Sequence, residues 1–223
     1  VSGRGNVIRN NTFHDYFDGL SACPEETAGE TNETDVYGNL VYNTGDDGME
    51  TDGTCSNLRI WGNTFHDVLG GISLAPVYTG PVYAIRNLIY RIGVGNNSYT
   101  GLAFKFNSGY DASSPMFLFH NTVDAALPGN NALDIKGPGA WTLITTRNNI
   151  WSGTEFALYN ANPSQPLALD YDDLYTTQAG ELAWWDDLPD RQLNTLAELR
   201  SSTGQELHGF SLAPGFNAPA DGD

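Results

Sequence analysis

The segments DVYGNLVYN (residues 35–43) and LRIWGNTFHD (residues 58–67) decide how this chain folds. Each is a short apolar strand, then an Asn, then a second short strand whose second residue after the Asn is apolar. Five further segments repeat the pattern: VIRNNTFHD (7–15), VYAIRNLIYR (82–91), MFLFHNTVDA (116–125), ITTRNNIWSG (144–153) and LDYDDLYTT (169–177). Aligned on Asn11, Asn39, Asn63, Asn87, Asn121, Asn148 and Asp172, they recur at intervals of 28, 24, 24, 34, 27 and 24 residues. A period of that size is one supersecondary unit with loops of varying length inserted. Asn suits a sharp turn between strands because it tolerates left-handed backbone and bonds its own main chain. In coils stacked ~4.8 Å apart, successive amides can also bond one another in a ladder. The alignment predicts an all-β, single-stranded parallel β-helix of about seven coils.

Strand periodicity sorts the side chains. Phe13, Val41, Phe65, Ile89, Val123, Ile150 and Leu174 form one expected interior stack, and His14, Tyr42, His66, Tyr90, Asp124, Trp151 and Tyr175 face out beside it. A second strand recurs in DGLSAC, DGMETDG, GGISLAP, TGLAFKF, NALDIKG and FALYNA. Aligning Gly19, Gly48, Gly71, Gly101, Ala132 and Ala157 sends Leu20, Met49, Ile72, Leu102, Leu133 and Leu158 inward. Its first outward column is then Ser21, Glu50, Ser73, Ala103, Asp134 and Tyr159; its second is Cys23, Asp52, Ala75, Lys105, Lys136 and Ala161.

A solenoid core is continuous, so the 223 residues read as one elongated unit, with coils over 1–177 and a capping segment over 178–223. Within the cap, LNTLAELRSSTG predicts a short helix over 195–203, with Thr195 as N-cap, Glu198 completing a capping box and Gly204 at the C-terminus. Trp184 and Trp185 precede it as hydrophobic cover for the last coil. The chain opens at Val1 in mid-coil without a capping helix. An N-terminal portion is therefore expected beyond it, and the open strand edge offers a route to end-to-end self-association.

A net charge of −17 excludes nucleic acid and anionic membrane surfaces as partners and is compatible with bound cations such as Ca²⁺. No apolar run is long enough to cross a membrane as a helix. Cys23 and Cys55 follow the Gly-led strands of neighbouring coils, so stacking could bring their Cα atoms within the ~7 Å that a disulfide needs. Bridged and free thiols both stay open.

The turns NNTFHD (10–15) and GNTFHD (62–67), the element TGDDGMETDG (44–53) and the tail LAELRSSTGQELHGFSLAPGF (196–216) carry a resemblance. In these the chain resembles the right-handed parallel β-helix family of pectate-lyase-like proteins, specifically the bacterial secreted repeat proteins associated with polysaccharides. The resemblance covers nearly the whole chain and implies a secreted, carbohydrate-active protein. It also implies that the Gly-led strand carries the catalytic face. Many chemistries share this scaffold, so activity has to come from a site.

On that strand, Glu50 and Asp52 project one way, and Asp46 and Asp47 come from the turn before them. Four carboxylates this close require a cation or water between them, and Ca²⁺ bound by Asp46, Asp47, Glu50 and Asp52 is the expected metal site, against a solvated acidic turn. Lys105 and Lys136 are expected to stack on adjacent coils. Like charges ~6 Å apart repel by roughly 0.7 to 3 kcal/mol, which lowers one lysine pKa toward the range of a general base. Asp134, beside Lys136, either joins that catalytic group or neutralises the lysine as a surface ion pair. Tyr78, Tyr83 and Tyr110 lie in loops that could overhang the cleft and stack on sugar rings, or simply cover the core.

These groups fit β-elimination on an acidic polysaccharide, which needs neutralisation of a carboxylate, a base for the adjacent C–H and a proton for the leaving oxygen. Ca²⁺ would supply the first, Lys105 the second, and the third has no candidate. Arg86, His120 and Arg147 form a column before the ladder, read as capping turn carbonyls around the corner. Two other classes compete. TGDDGM resembles the Gly-Asp-Asp element of β-helix pectin hydrolases, and DIKG (134–137) resembles their Arg-Ile-Lys, although their Asn-Thr-Asp and Gly-His-Gly elements are absent. The remaining class is a non-catalytic glycan-binding, adhesion or filament-forming rod.

Overall fold

The computed structural model describes residues 3–23, 31–95, 100–106, 112–136 and 139–217. The chain is a parallel β-solenoid of about seven turns. Sheet I collects the strands that precede each ladder residue: Val7–Arg9, Asp35–Tyr37, Leu58–Trp61, Val82–Ile85, Met116–Phe119, Ile144–Arg147 and Leu167–Asp170. Sheet II collects those that follow: Thr12–His14, Leu40–Tyr42, Thr64–Val68, Leu88–Ile92, Thr122–Asp124, Ile150–Gly153 and Asp173–Thr176. The third face begins with Asp47–Glu50, Gly70–Ser73 and Leu102–Lys105 and continues as Leu133–Ile135, Leu158–Asn160 and Ala183–Trp185. That face runs on past residue 177, so the last coil closes inside the segment expected to be only a cap.

The ladder turns the corner between sheets I and II. Side-chain amides of Asn11, Asn39, Asn63, Asn87, Asn121 and Asn149 each donate to the next rung at 2.8–3.1 Å, ending on Asp172 Oδ1. Each rung's backbone N–H donates to the same acceptor. The ladder residue in the sixth coil is Asn149, which corrects the expected Asn148. Asn148 holds the preceding slot, a left-handed position (φ 56°) shared with Asn10, Gly38, Gly62, Arg86, His120 and Tyr171. Trp151 rather than Ile150 therefore pairs with Val123 and lies fully buried. Arg147 likewise leaves the expected basic column; it pairs with Phe119, and its guanidinium donates to the carbonyls of Thr146 and Ala168.

Replacing Asn87 by Ala should be costly, because it removes the acceptor of the buried Asn63 backbone N–H and of one of its side-chain N–H groups, together with the side-chain donor to the carbonyl of Ile60 and to Oδ1 of Asn121. A loss of about 3 kcal/mol is expected, read as a lower urea midpoint at unchanged slope.

The outward column of sheet II stacks over its first four coils, and Tyr90 in it is buried. His14, Tyr42, His66 and Tyr90 lie 5.0–5.2 Å apart with near-parallel rings. On the third face the small-residue column has a steric cause. A Cβ on Gly48 would meet Phe65 at 2.8 Å and one on Gly71 would meet Ile89 at 2.9 Å, while the next residues, Met49 and Ile72, are also fully buried. Two consecutive residues thus look into the core where the strand bends, and the first must be small; Ala103, Ala132 and Ala157 fill the slot in later coils.

Gly101 is not in that column. Leu102 pairs with Gly70 and Phe104 with Ile72, two residues from the expected register. Gly101 instead closes the longest coil, where a Cβ would meet Gly93 N at 2.4 Å. The two-residue slip moves Lys105 one column along the wall, and the bend turns Ala103 inward with Phe104 and leaves Leu102 on the cavity side.

The C-terminal helix spans Leu196–Thr203, with the Thr195–Glu198 capping box and a left-handed Gly204 (φ 71°). The residues after it seal the last coil. Phe210 pairs with Asp173, the N–H of Leu212 donates to Asp173, and His208 pairs with Asp170. Glu206, 1% exposed, accepts the N–H of Asp172 at 3.1 Å and so acts as the rung after the last one. Trp185 is buried, and Trp184 stacks on Tyr159 (6.0 Å between centroids). Cys23 and Cys55 are disulfide-bonded, with Cα atoms 5.3 Å apart. No helix among the described residues is long and apolar enough to cross a membrane.

Candidate functional site

The register of the third face decides what meets what. Lys105 is level with Ser73 and Glu50, and Glu50 with Ser21. The slip therefore moves Lys105 into the first outward column, the place expected for Ala103, which is buried instead. Asp52 stays one step along the same wall. Its Oδ1 accepts from Ser73 Oγ at 2.5 Å and from the Ala75 N–H at 3.0 Å, and its Oδ2 lies 3.9 Å from Lys105 Nζ.

The closest partner of Lys105 is Asp47, two coils away, at 2.8 Å. Gly70, on the intervening coil, allows that reach: a Cβ there would stand 2.2 Å from Asp47 Oδ1. A second pair repeats the arrangement, with Lys136 Nζ 2.6 Å from Asp134 Oδ2 and 5.4 Å from the Tyr159 ring centre. In both pairs the carboxylate is buried (3% and 0% exposed) and the ammonium reaches toward solvent (28% and 35%). Buried aspartates thus hold two lysines up on one wall.

Both pairs line a cavity of about 510 Å³, together with Asp46, Gly70 and Thr100 and with an apolar lining of Phe17, Leu69, Leu102 and Phe106. Its size suits one small ligand or a short stretch of polymer. Neither Tyr78 nor Tyr83 belongs to it. Tyr78 is half-buried at the far end of the Gly-led segment, where its N–H donates to Gly53. Tyr83 is not in a loop at all; it stands on sheet I, stacked on Phe117 at 5.2 Å. Tyr110 lies outside the described residues.

No family model, curated protein or solved structure matches this chain. Function has to be argued from the wall itself.

Protonation follows from burial. Burial raises Asp47 to about 6 against the pull of Lys105, and raises Glu50 to about 7 with help from Asp52, Asp18 and Asp47. Asp52 is raised by burial despite its bonds to Ser73 and its proximity to Lys105, and Asp18 by burial and Asp46. Burial acts to lower Lys105, but Asp47, Asp52 and Asp46 outweigh it and the pKa ends above the ordinary lysine value. The expected depression of Lys105 by Lys136 is therefore overturned, since carboxylates and not a second ammonium are its nearest charges. Near neutrality Lys105 is a fixed cation, Asp47 is mostly ionised and Glu50 shares its time between both forms.

Two of the four carboxylates expected to hold Ca²⁺ have other partners. Asp47 is committed to Lys105 and Asp52 to Ser73 and Ala75, and among the described residues no group of three or more acidic, His or Cys side chains is arranged to hold a metal ion. The ammonium of Lys105 supplies positive charge beside Asp47 and Asp52. Gly70, Ser73 and the apolar lining escaped the sequence reading. The Gly70–Gly71 doublet was the available sign, because one glycine serves the bend and the second has no role unless something crosses over it.

Proposed function

We propose that this chain is a carbohydrate-active β-helix of the pectate-lyase-like, polysaccharide-associated kind, cleaving an acidic glycan by β-elimination in the Lys105–Lys136 cavity. The observation that carries this reading is the pair of ammonium groups, each propped by a buried aspartate, on the wall of one partly apolar cavity. Paired cations neutralise a uronate carboxylate, and the apolar lining suits the carbon face of a sugar ring. The Cys23–Cys55 disulfide supports a secreted protein, since such bonds persist in oxidising compartments.

The roles differ from the simplest expectation. Lys105, protonated, neutralises the carboxylate together with Lys136 and so acidifies the neighbouring C–H. Asp47, ionised near neutrality and aimed at Lys105, accepts that proton. The electron pair of the C–H bond forms the new double bond and expels the glycosidic oxygen, which takes a proton from Glu50, a residue outside the cavity lining but level with Lys105 on the same wall, two coils away. A base of pKa about 6 and an acid of about 7 match these tasks at neutral pH. Ca²⁺ assistance would need Asp47 and Asp52 to leave their partners, and no step here depends on it.

Incubation with a panel of polyuronides tests this. Elimination creates a conjugated unsaturated uronide with new ultraviolet absorbance, one per chain end released. New reducing ends without that absorbance would point to hydrolysis, for which Glu50, at the end of its strand, and Asp52, just beyond it, are the available carboxyl pair. Absence of turnover on every polyuronide, with ordered rods in solution, would leave the structural reading.

A further inference from the structure

The two Lys–Asp pairs are not equivalent. Asp134 spends a single oxygen on both of its partners: Oδ2 accepts from Lys136 at 2.6 Å and from the Asn131 side-chain amide at 2.8 Å. Oδ1 is buried and meets no donor among the described residues. Burial keeps the Asp134 pKa raised against the pull of Lys136 and Asn131. A buried carboxyl oxygen without a donor loses about 1–3 kcal/mol or more of hydration, and folded proteins keep few such groups. This one belongs to a residue that lines the cavity. The cavity lining thus carries two partly exposed cations and, in one of its residues, a buried acceptor without a donor.

We propose that Asp134 Oδ1 accepts a hydrogen bond from a free hydroxyl of the sugar whose carboxylate lies between Lys105 and Lys136. The inference rests on the acidic-glycan reading of the cavity and adds its selectivity: the site takes uronide units with that hydroxyl unsubstituted and rejects units carrying an ester there. The physical reason is asymmetric. A hydroxyl satisfies the buried acceptor and suits the 0% exposed carboxyl it meets. An O-acetyl group brings no donor, leaves the oxygen unpaired and adds bulk against Leu102 and Phe106, which share the lining. Sites built to bond a substrate hydroxyl discriminate strongly against analogues that lack it.

The test compares polygalacturonate and polymannuronate with their O-acetylated forms on the wild-type protein, reading kcat/KM and the affinity of short oligosaccharides by calorimetry. About a 100-fold or larger preference for the free-hydroxyl polymer is expected, mostly in KM. Asp134→Asn, which can turn a donor toward the same point, should shrink that preference to within about 10-fold. Equal handling of free and acetylated polymer by the wild type would overturn the role of Asp134 while leaving the acidic-glycan reading in place. Failure of the wild type to bind or turn over any polyuronide would remove both. Because the decisive comparison varies the substrate, poor folding of the variant does not blunt it.

Discussion

Lys105→Met is expected to cut turnover of a polyuronide by about 10²–10³-fold, with a visible change in pH dependence. The substitution removes the cation that neutralises the substrate carboxylate and leaves Asp47 buried without its 2.8 Å partner. Burial, with Asp46 and Asp52 acting in the same direction, then governs Asp47, which rises further above its present value of about 6 and holds its proton at neutral pH. Cation and base are lost together. Stability should respond differently, because a neutral Asp47 is tolerated in the slot over Gly70; the variant should melt near the wild-type temperature at pH 5 and fall below it at pH 8. Lys105→Met with Asp47→Asn should recover the alkaline stability and none of the turnover. Retention of wild-type turnover by the single variant would end the assignment of this wall as the reacting centre.

The second large effect concerns the sealed end of the solenoid. Glu206 and Asp172 are two carboxyls in contact, and burial followed by the neighbouring Asp172 pushes Glu206 up to about 9; Asp172 is itself raised by burial. The folded protein therefore holds protons on these groups that the unfolded chain releases near its ordinary carboxyl range. Stability is fully present below that range and is lost as pH climbs toward 9. Asp47 and Glu50 act in the same direction at lower pH, around 6 to 7.

The groups that face the pair include Asp170 with His208, Asp173, and Thr146, whose hydroxyl donates to Asp172. Arg200 donates to the Glu206 carbonyl, and among the described residues no cation forms an ion pair with either carboxyl. Between pH 5 and pH 10 a loss on the order of 4 kcal/mol is expected, seen as a fall of about 10 °C in melting temperature. Glu206→Gln should flatten the alkaline limb, since an amide both accepts from the Asp172 N–H and donates to its carboxylate. A melting temperature independent of pH above 7 in the wild type would refute the shared proton.

Much of this architecture is legible in the chain because a solenoid repeats its instructions. Asn39, Asn63 and Asn87 each sit in an unambiguous setting, and their register carries both neighbouring sheets. Where the text is degenerate the reading slips. Asn148 and Asn149 can each fill either the left-handed slot or the ladder slot, and Ile150 and Trp151 are both apolar, so period-two arguments cannot choose between them. Gly101 mimics the bend glycine while serving a loop. The site was legible as a set of charges but not as pairs. Lys105 reaches Asp47 across an entire coil, and no sequence rule for adjacent rungs anticipates a contact that exists because Gly70 has no side chain.

The asparagine row carries one more implication. From Asn39 to Asn149 each rung's backbone N–H and one side-chain N–H donate toward the C-terminal coils while the second side-chain N–H donates back to the preceding coil, and the forward hydrogen bonds, in line, polarise one another. The row is thus an electrical arrow with its positive tip at Asp172, as a helix has a charged end. A carboxylate at that tip is favoured, which places the negative charge on Asp172 and the proton on Glu206. Substituting an asparagine far upstream, at Asn39 for instance, should therefore weaken the field at the tip and shift the titration of a carboxyl pair five coils away.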